Sequence, residues 1–361
     1  IIDKLNERTR SISNRYNEIT LAVIKELAEE LNILEEDLIM WRAKVELKKH
    51  SVVDRVRREI APSVRKANKE LEKEINEASV DVENENARFF STPYYALALK
   101  SVENVKEIAF KDFHENVQKT LLDNNIQNNA IRKTYDNILE RTSRELVNGN
   151  VTLEQAIEKA VMDVYDQGLP SEFIDKAGRL WNVERYAETV ARNAMQNTYN
   201  KVRTARMEKE ELYTVLVSSH IRAREACSYC QGKVIDIRPI GENTSGYPSA
   251  YEFGYGTPAG HRGINCRHQW FPYDPDINEN NQPQIEPEDA QRTEAIYQQR
   301  NALARRIRKT KGKLELAKTL KSDSVEHYTK LLRKQQARMR DYVKEHDLKR
   351  DYSLERAPIQ P

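Results

Sequence analysis

The chain has 361 residues and a net charge of +2, and 32% of its residues are charged against 7% aromatic. Glycine and proline are scarce, with 11 and 12 copies. That balance predicts long solvated helices and disfavours sandwiches, barrels or a large parallel sheet. No run of 18 apolar residues is present to cross a membrane. The chain opens Ile1-Ile2-Asp3, with no charged segment leading into an apolar one, so no secretory signal is expected.

In chain order, residues 1 to about 60 read as helix, with Ile19, Val23, Leu27, Leu31 and Leu34 on one face. Pro62 is expected to interrupt, a charged helix to run on to about Ile75, and the acidic, Asn-rich stretch Ser79 to Pro93 to form a connection. Helices resume near Tyr95. Thr152 to Gln155 has the form of a capping box, followed by Leu153, Ala156, Ala160 and Val164 on one face and a stop at Gly168-Leu169-Pro170. A further helix carries Val183, Tyr186, Val190 and Ala194 and continues into the charged stretch from Lys201 to Glu211.

Tyr213 to Val217 is β-branched and aromatic and reads as the first strand. Val234 to Ile237 and His268 to Phe271 are short strand candidates on either side of a turn-rich loop. Between Gly232 and Gly263 lie seven of the eleven glycines, with Pro239, Pro248 and Pro258. From Glu288 the helical pattern returns. Ile296, Leu303, Ile307 and Leu314 form one stripe, and Val325, Tyr328, Leu332, Met339 and Tyr342 a second. Ser322 to Ser324 lies between them as turn and cap, which predicts a helical hairpin.

The fold expected is mainly α with a small α+β domain. Residues 1–150 form an extended helical region, 151–278 the α+β core domain, and 279–361 a basic helical hairpin. From Arg292 to Arg356 there are 19 Lys plus Arg against 9 Asp plus Glu, so a basic tail follows an acidic body. Such a tail meets nucleic acid or an acidic protein surface, or is simply a solvated hairpin.

All three cysteines lie between Cys227 and Cys266, an odd and clustered set that favours a metal or thiol site over disulfides, in a reducing place of synthesis. Cys227 and Cys230 form a CxxC knuckle. If Cys266 begins a strand, His268 two residues on shares its face. Cys227, Cys230, Cys266 and His268 would then close a Cys₃His zinc site, with His261 as an alternative fourth ligand and His220 a weaker one. Four protein ligands leave no open position, so such a zinc is structural, pinning a loop that buries too little apolar surface to order itself. Reduced cysteines with ordinary hydrogen bonds are the plain alternative. A thioredoxin-like CxxC lacks its following helix, and a Cys266–His261 nucleophile lacks an orienting acid. No phosphate-binding Gly-rich loop with a Lys and no HExxH motif is present.

Ser219-His220, Ala223-Arg224, Gln231-Gly232-Lys233, Gly254-Tyr255-Gly256 and Gly263-Ile264-Asn265-Cys266-Arg267-His268 together resemble the minor capsid proteins of tailed phages. More closely, the chain is similar to the second phage minor capsid family, related to the Mu F-like head-morphogenesis proteins. The likeness runs from about Thr152 to Arg356 and takes in Arg305 to Lys309. It implies a non-enzymatic virion component, present in several copies and assembled in the host cytoplasm. The portal and major capsid proteins are its implied partners, with packaged double-stranded DNA as a possible contact of the tail. Arg262 and Arg267 are expected to brace the loop through carbonyl hydrogen bonds rather than to meet phosphate. The alternatives carried beside this reading are a zinc-containing nucleic-acid-binding protein and a toxin-like transferase. The tail's tyrosines fall mainly on apolar stripes instead of interleaving with the basic residues, which disfavours the first. No second α/β domain is apparent for the other.

Overall fold

The computed structural model describes residues 2–33, 38–123, 129–148, 151–175, 177–257, 259–263 and 266–356. Leu34, Pro258, Ile264 and Asn265, which figure in the sequence reading, lie outside them. The chain is mainly helical with two small sheets, as its composition predicts.

Helix α1 spans Ile2–Leu31 and α2 spans Leu38–Phe90. Ile19, Val23, Leu27 and Leu31 are all buried, as their spacing requires. Two expectations fail in α2. Pro62 does not interrupt it, and Ser79 to Phe90 is its last part instead of a connection. Pro62 faces solvent, so the carbonyl deprived of its N–H donor can turn to water. The buried stripe Val56, Ile60, Val64, Ala67, Leu71, Ile75, Ala78 and Val82 continues past it at helical spacing.

Helices α3 (Tyr95–Ser101) and α4 (Glu103–Phe113) follow, and a π-helical turn at His114–Gln118 joins α4 to α5 (Lys119–Leu122). Next come α6 (Ala130–Asn148) and α7 (Leu153–Gln167). The capping box that opens α7 is present: Thr152 Oγ1 accepts from Gln155 N, and Thr152 N donates to Gln155 Oε1. A hairpin of β1 (Pro170–Ile174) and β2 (Leu180–Asn182), unforeseen in the sequence, precedes α8 (Val183–Lys209). The strand β3 (Thr214–Val217), the short helix α9 (Glu225–Ser228), and the strands β4 (Val234–Asp236) and β5 (Trp270–Pro272) complete the α+β part. The carboxy-terminal hairpin is α10 (Pro287–Thr319) and α11 (Ser324–Glu345). Ser322 Oγ, in the turn between them, accepts from Ser324 N.

The chain forms two compact units, each assembled from separated segments. One comprises Arg10–Glu70, Phe110–Val190 and Arg300–Pro361. Its core is anchored by large buried rings. Trp41 Nε1 donates to Leu31 O at 3.0 Å, Tyr135 OH donates to Val45 O at 2.7 Å, and Tyr16 packs on Phe113 with centroids 5.5 Å apart. In α10, a Cβ on Gly312 would fall 1.9 Å from Tyr165 OH of α7, so only glycine permits that approach.

Glu184 stands at the start of α8 with its Oε2 buried. Burial pushes its carboxyl up to about 7, and hydrogen bonds from Thr20 and from its own backbone amide, with Arg308 and Lys309 nearby, oppose only part of the shift. A carboxyl whose folded pKa is raised costs stability once the unfolded chain ionises. Stability therefore falls as pH rises from about 4.5 through about 7. Glu184→Gln is expected to remove that decline, raising stability by roughly 1–3 kcal/mol at pH 8 and by almost nothing at pH 4. Denaturant unfolding at the two pH values measures it, and an equal effect at both would disprove it.

The other unit comprises Ile1–Thr9, Leu71–Ala109 and Ala191–Gln299. It contains the sheet, of order β4-β3-β5 and antiparallel throughout. All four residues of β3 are buried because both faces are covered. One face carries Met207, Val215, Val217, Ile235 and Trp270, and the other Leu216, Val234 and Tyr273. The charges of Ser79 to Phe90 are matched here by α8. Glu83 accepts from Arg206 at 2.8 Å, and Arg203 pairs with Glu85.

Candidate metal centre

The CxxC knuckle is formed by the end of α9 and the turn that follows it, in which the Cys230 and Gln231 amides both donate to Cys227 O. Gly232 N donates back to Val217 O and so ties the knuckle to the end of β3. The second half of the site arrives by the long loop after β4. A capping box at Ser249 and Glu252 starts a 3₁₀ turn, and His261 N donates to Phe253 O at 2.8 Å. A Cβ on Gly260 would lie 1.9 Å from the Gly254 carbonyl oxygen, so this loop can close on itself only through glycine. Cys266 and His268 lie in the irregular segment before β5, not on the strand itself, which corrects the expected His268–Phe271 strand.

Ligand atoms of Cys227, His261, Cys266 and His268 all lie within 4.8 Å of one another, and all four residues are buried. Cys227 Sγ and Cys266 Sγ are 3.6 Å apart, and Cys266 Sγ is 3.6 Å from His268 Nδ1. A tetrahedral zinc with its usual bond lengths sets such edges at about 3.8 Å between two sulfurs and about 3.6 Å between sulfur and nitrogen. The donor set and its spacing therefore fit zinc. Cys230 is not in that tight set, but its Sγ lies 3.2 Å from His261 Nδ1. His220 stays outside, with its Nε2 3.0 Å from Ser218 Oγ and its ring edge-on to His268.

The electrostatics set the cysteines apart. The hydrogen bond from Cys227 holds the Cys266 thiol well below its ordinary value, and His268 adds to the effect. The same contact, with burial, pushes Cys227 up, and burial raises Cys230 to about 12. Burial lowers His261 to about 3 and His220 to about 4, so both rings are neutral, the form in which imidazole binds a metal. Around this set, Trp270 Nε1 donates to His261 Nε2 at 2.9 Å, and Gln231 Oε1 lies 3.4 Å from His268 Nε2. The cysteines are free thiols, with no disulfide for redox exchange.

Arg262 does not brace the loop as expected. Its side chain is buried over the rings of Trp270 (3.9 Å) and Tyr199 (5.0 Å), and its three guanidinium nitrogens have no hydrogen-bond partner among the described residues. Arg267 is exposed.

Residues 3–344 match the family described as "Phage minor capsid protein 2". The chain belongs to the phage minor capsid protein 2 family. It is 30% identical over 344 residues to a "Structural protein" of Lactococcus phage LL-H, covering 89% of both chains. A shorter "Structural protein" of Lactococcus phage mv4 is 35% identical over 112 residues, which is 30% of this chain and 91% of that one. No solved structure matches. This minor capsid protein is thus a structural component of a phage, and no helix of its described residues is long and apolar enough to cross a membrane.

Proposed function

We propose that this minor capsid protein is a non-enzymatic component of the phage head, docked on the portal or inner capsid, with its carboxy-terminal hairpin against packaged DNA. The observation that carries this reading is the cationic face of α11. Lys330, Arg333, Lys334, Arg338 and Arg340 are exposed, and no acidic residue occurs from 330 to 340. Of these five, Lys330 is drawn into an ion pair, with Glu326. A stripe of this kind neutralises phosphates without reading bases, the binding a head protein needs against DNA of any sequence. A structural zinc, held by Cys227, Cys266 and His268 with the fourth position filled from the Cys230–His261 pair, would fix the α+β unit. With four protein ligands it has no open site for substrate, in keeping with a structural role.

Cross-linking of filled and empty heads tests the reading. Links from α11 to DNA in filled heads only, and from the protein to the portal or major capsid protein in both, are expected. A chain that links only to tail proteins, or whose α11 never links to DNA, would refute it.

A further inference from the structure

We infer that the metal centre is a three-thiolate monoanion of Cys227, Cys230, Cys266 and His268, with Arg262 as its buried counter-ion and His261 as a hydrogen-bond donor to Cys230 outside the coordination sphere. This inference rests on the zinc reading above and specifies its ligands and charge.

The first ground is the tautomer of each histidine. A neutral imidazole bound through one nitrogen carries its proton on the other, which needs an acceptor. His268 meets that requirement. Its Nε2 faces Gln231 Oε1, an oxygen fixed in orientation by accepting from His220 N at 2.9 Å, and its Nδ1 faces the cluster 3.6 Å from Cys266 Sγ. His261 fails it. Trp270 Nε1, which can only donate, points at His261 Nε2 from 2.9 Å. That nitrogen is therefore the unprotonated one, and the proton sits on Nδ1, 3.2 Å from Cys230 Sγ. Coordination through Nδ1 would place N–H against N–H at Trp270, and coordination through Nε2 would displace the tryptophan. With its proton on Nδ1, His261 is instead suited to donate to a Cys230 thiolate.

The second ground is charge. Two cysteinates and two neutral histidines around Zn²⁺ make a neutral centre, whereas three cysteinates and one histidine carry −1. Arg262 is a buried guanidinium with no hydrogen-bond acceptor among the described residues, and it directly follows His261 in the ligand loop. An isolated buried charge is costly unless an opposite charge lies near it. The backbone of Arg262 is held at φ +57°, an unfavourable conformation for a non-glycine residue. Both costs are answered if a monoanionic centre lies within reach of this side chain.

X-ray absorption on the zinc-loaded full-length protein tests the ligand set without any substitution. Three sulfurs at about 2.3 Å and one nitrogen at about 2.0–2.1 Å are expected. His261→Phe and Arg262→Met should keep that 3:1 shell while weakening zinc binding about 10–100-fold, the usual effect of losing an outer partner. Cys230→Ser should lose a sulfur from the shell, and in that background Arg262→Met should no longer weaken binding. Two sulfurs and two nitrogens in the wild-type shell, or a shell unchanged in Cys230→Ser but broken in His261→Phe, would overturn the inference and leave a Cys₂His₂ zinc standing. No zinc uptake by the wild type would overturn it together with the zinc reading.

Discussion

Cys266→Ser is expected to abolish stoichiometric zinc binding and to lower the melting temperature of the unit that carries the sheet by about 8–16 °C. The magnitude follows from linkage. A site held at a free zinc concentration about 1,000 times its dissociation constant adds ~4 kcal/mol of stability, and in a unit of this size each kcal/mol is worth about 2–4 °C. The loss should be large because Cys266 meets both Cys227 and His268, each at 3.6 Å. The loop it anchors is otherwise tied by a few hydrogen bonds, such as His261 N to Phe253 O and Trp270 Nε1 to His261 Nε2. Chelation of the wild type should produce the same fall, and chelation of Cys266→Ser no further one. Calorimetry with and without chelator decides the matter, and additive effects would separate the cysteine's role from any metal.

Glu83→Gln is expected to cost about 3–5 kcal/mol, the usual penalty for leaving one partner of a buried ion pair uncompensated. The side chains of Glu83 and Arg206 are 1% and 4% exposed and 2.8 Å apart, so solvent does little to screen them. Glu83 also accepts from Tyr94 N at 2.8 Å and from Asn86 Nδ2 at 2.7 Å. The glutamine amide nitrogen would turn a donor towards other donors. Glu210, 3.0 Å from Arg206, softens the loss and places the effect towards the lower end of the range. Denaturant unfolding measures it, and a change under about 1 kcal/mol would show that the pair is incidental.

These residues also show where sequence reasoning reaches its limit. Local grammar was legible: Thr152 and Gln155 form their box, β3 falls where Tyr213 to Val217 turns β-branched, and α8 buries Val183, Tyr186, Val190 and Ala194. Long-range charge matching was not. Ser79 to Pro93 looked like a polar connection because the partners of Glu83 and Glu85 lie 123 and 118 residues away, on α8. Pro62 suggested a break because sequence does not show that its position faces solvent. At the site, the spacing proposed Cys227, Cys230, Cys266 and His268 with His261 as an alternative, and the fold brings ligand atoms of Cys227, His261, Cys266 and His268 within 4.8 Å of one another. The choice between Cys230 and His261 could not be read, since the hydrogen bond from Trp270 Nε1 to His261 Nε2 is made only by the fold. Arg262 carried no signal beyond lying next to His261. Only the fold reveals that it is buried with no acceptor among the described residues.

The central claim, that the minor capsid protein is built around a metal-pinned α+β unit, is tested most directly by native mass spectrometry of the full chain purified without added chelator. One zinc per chain, lost in Cys227→Ser and in Cys266→Ser, is predicted. A wild-type mass equal to that of the bare polypeptide, still so after incubation with excess zinc, would contradict it.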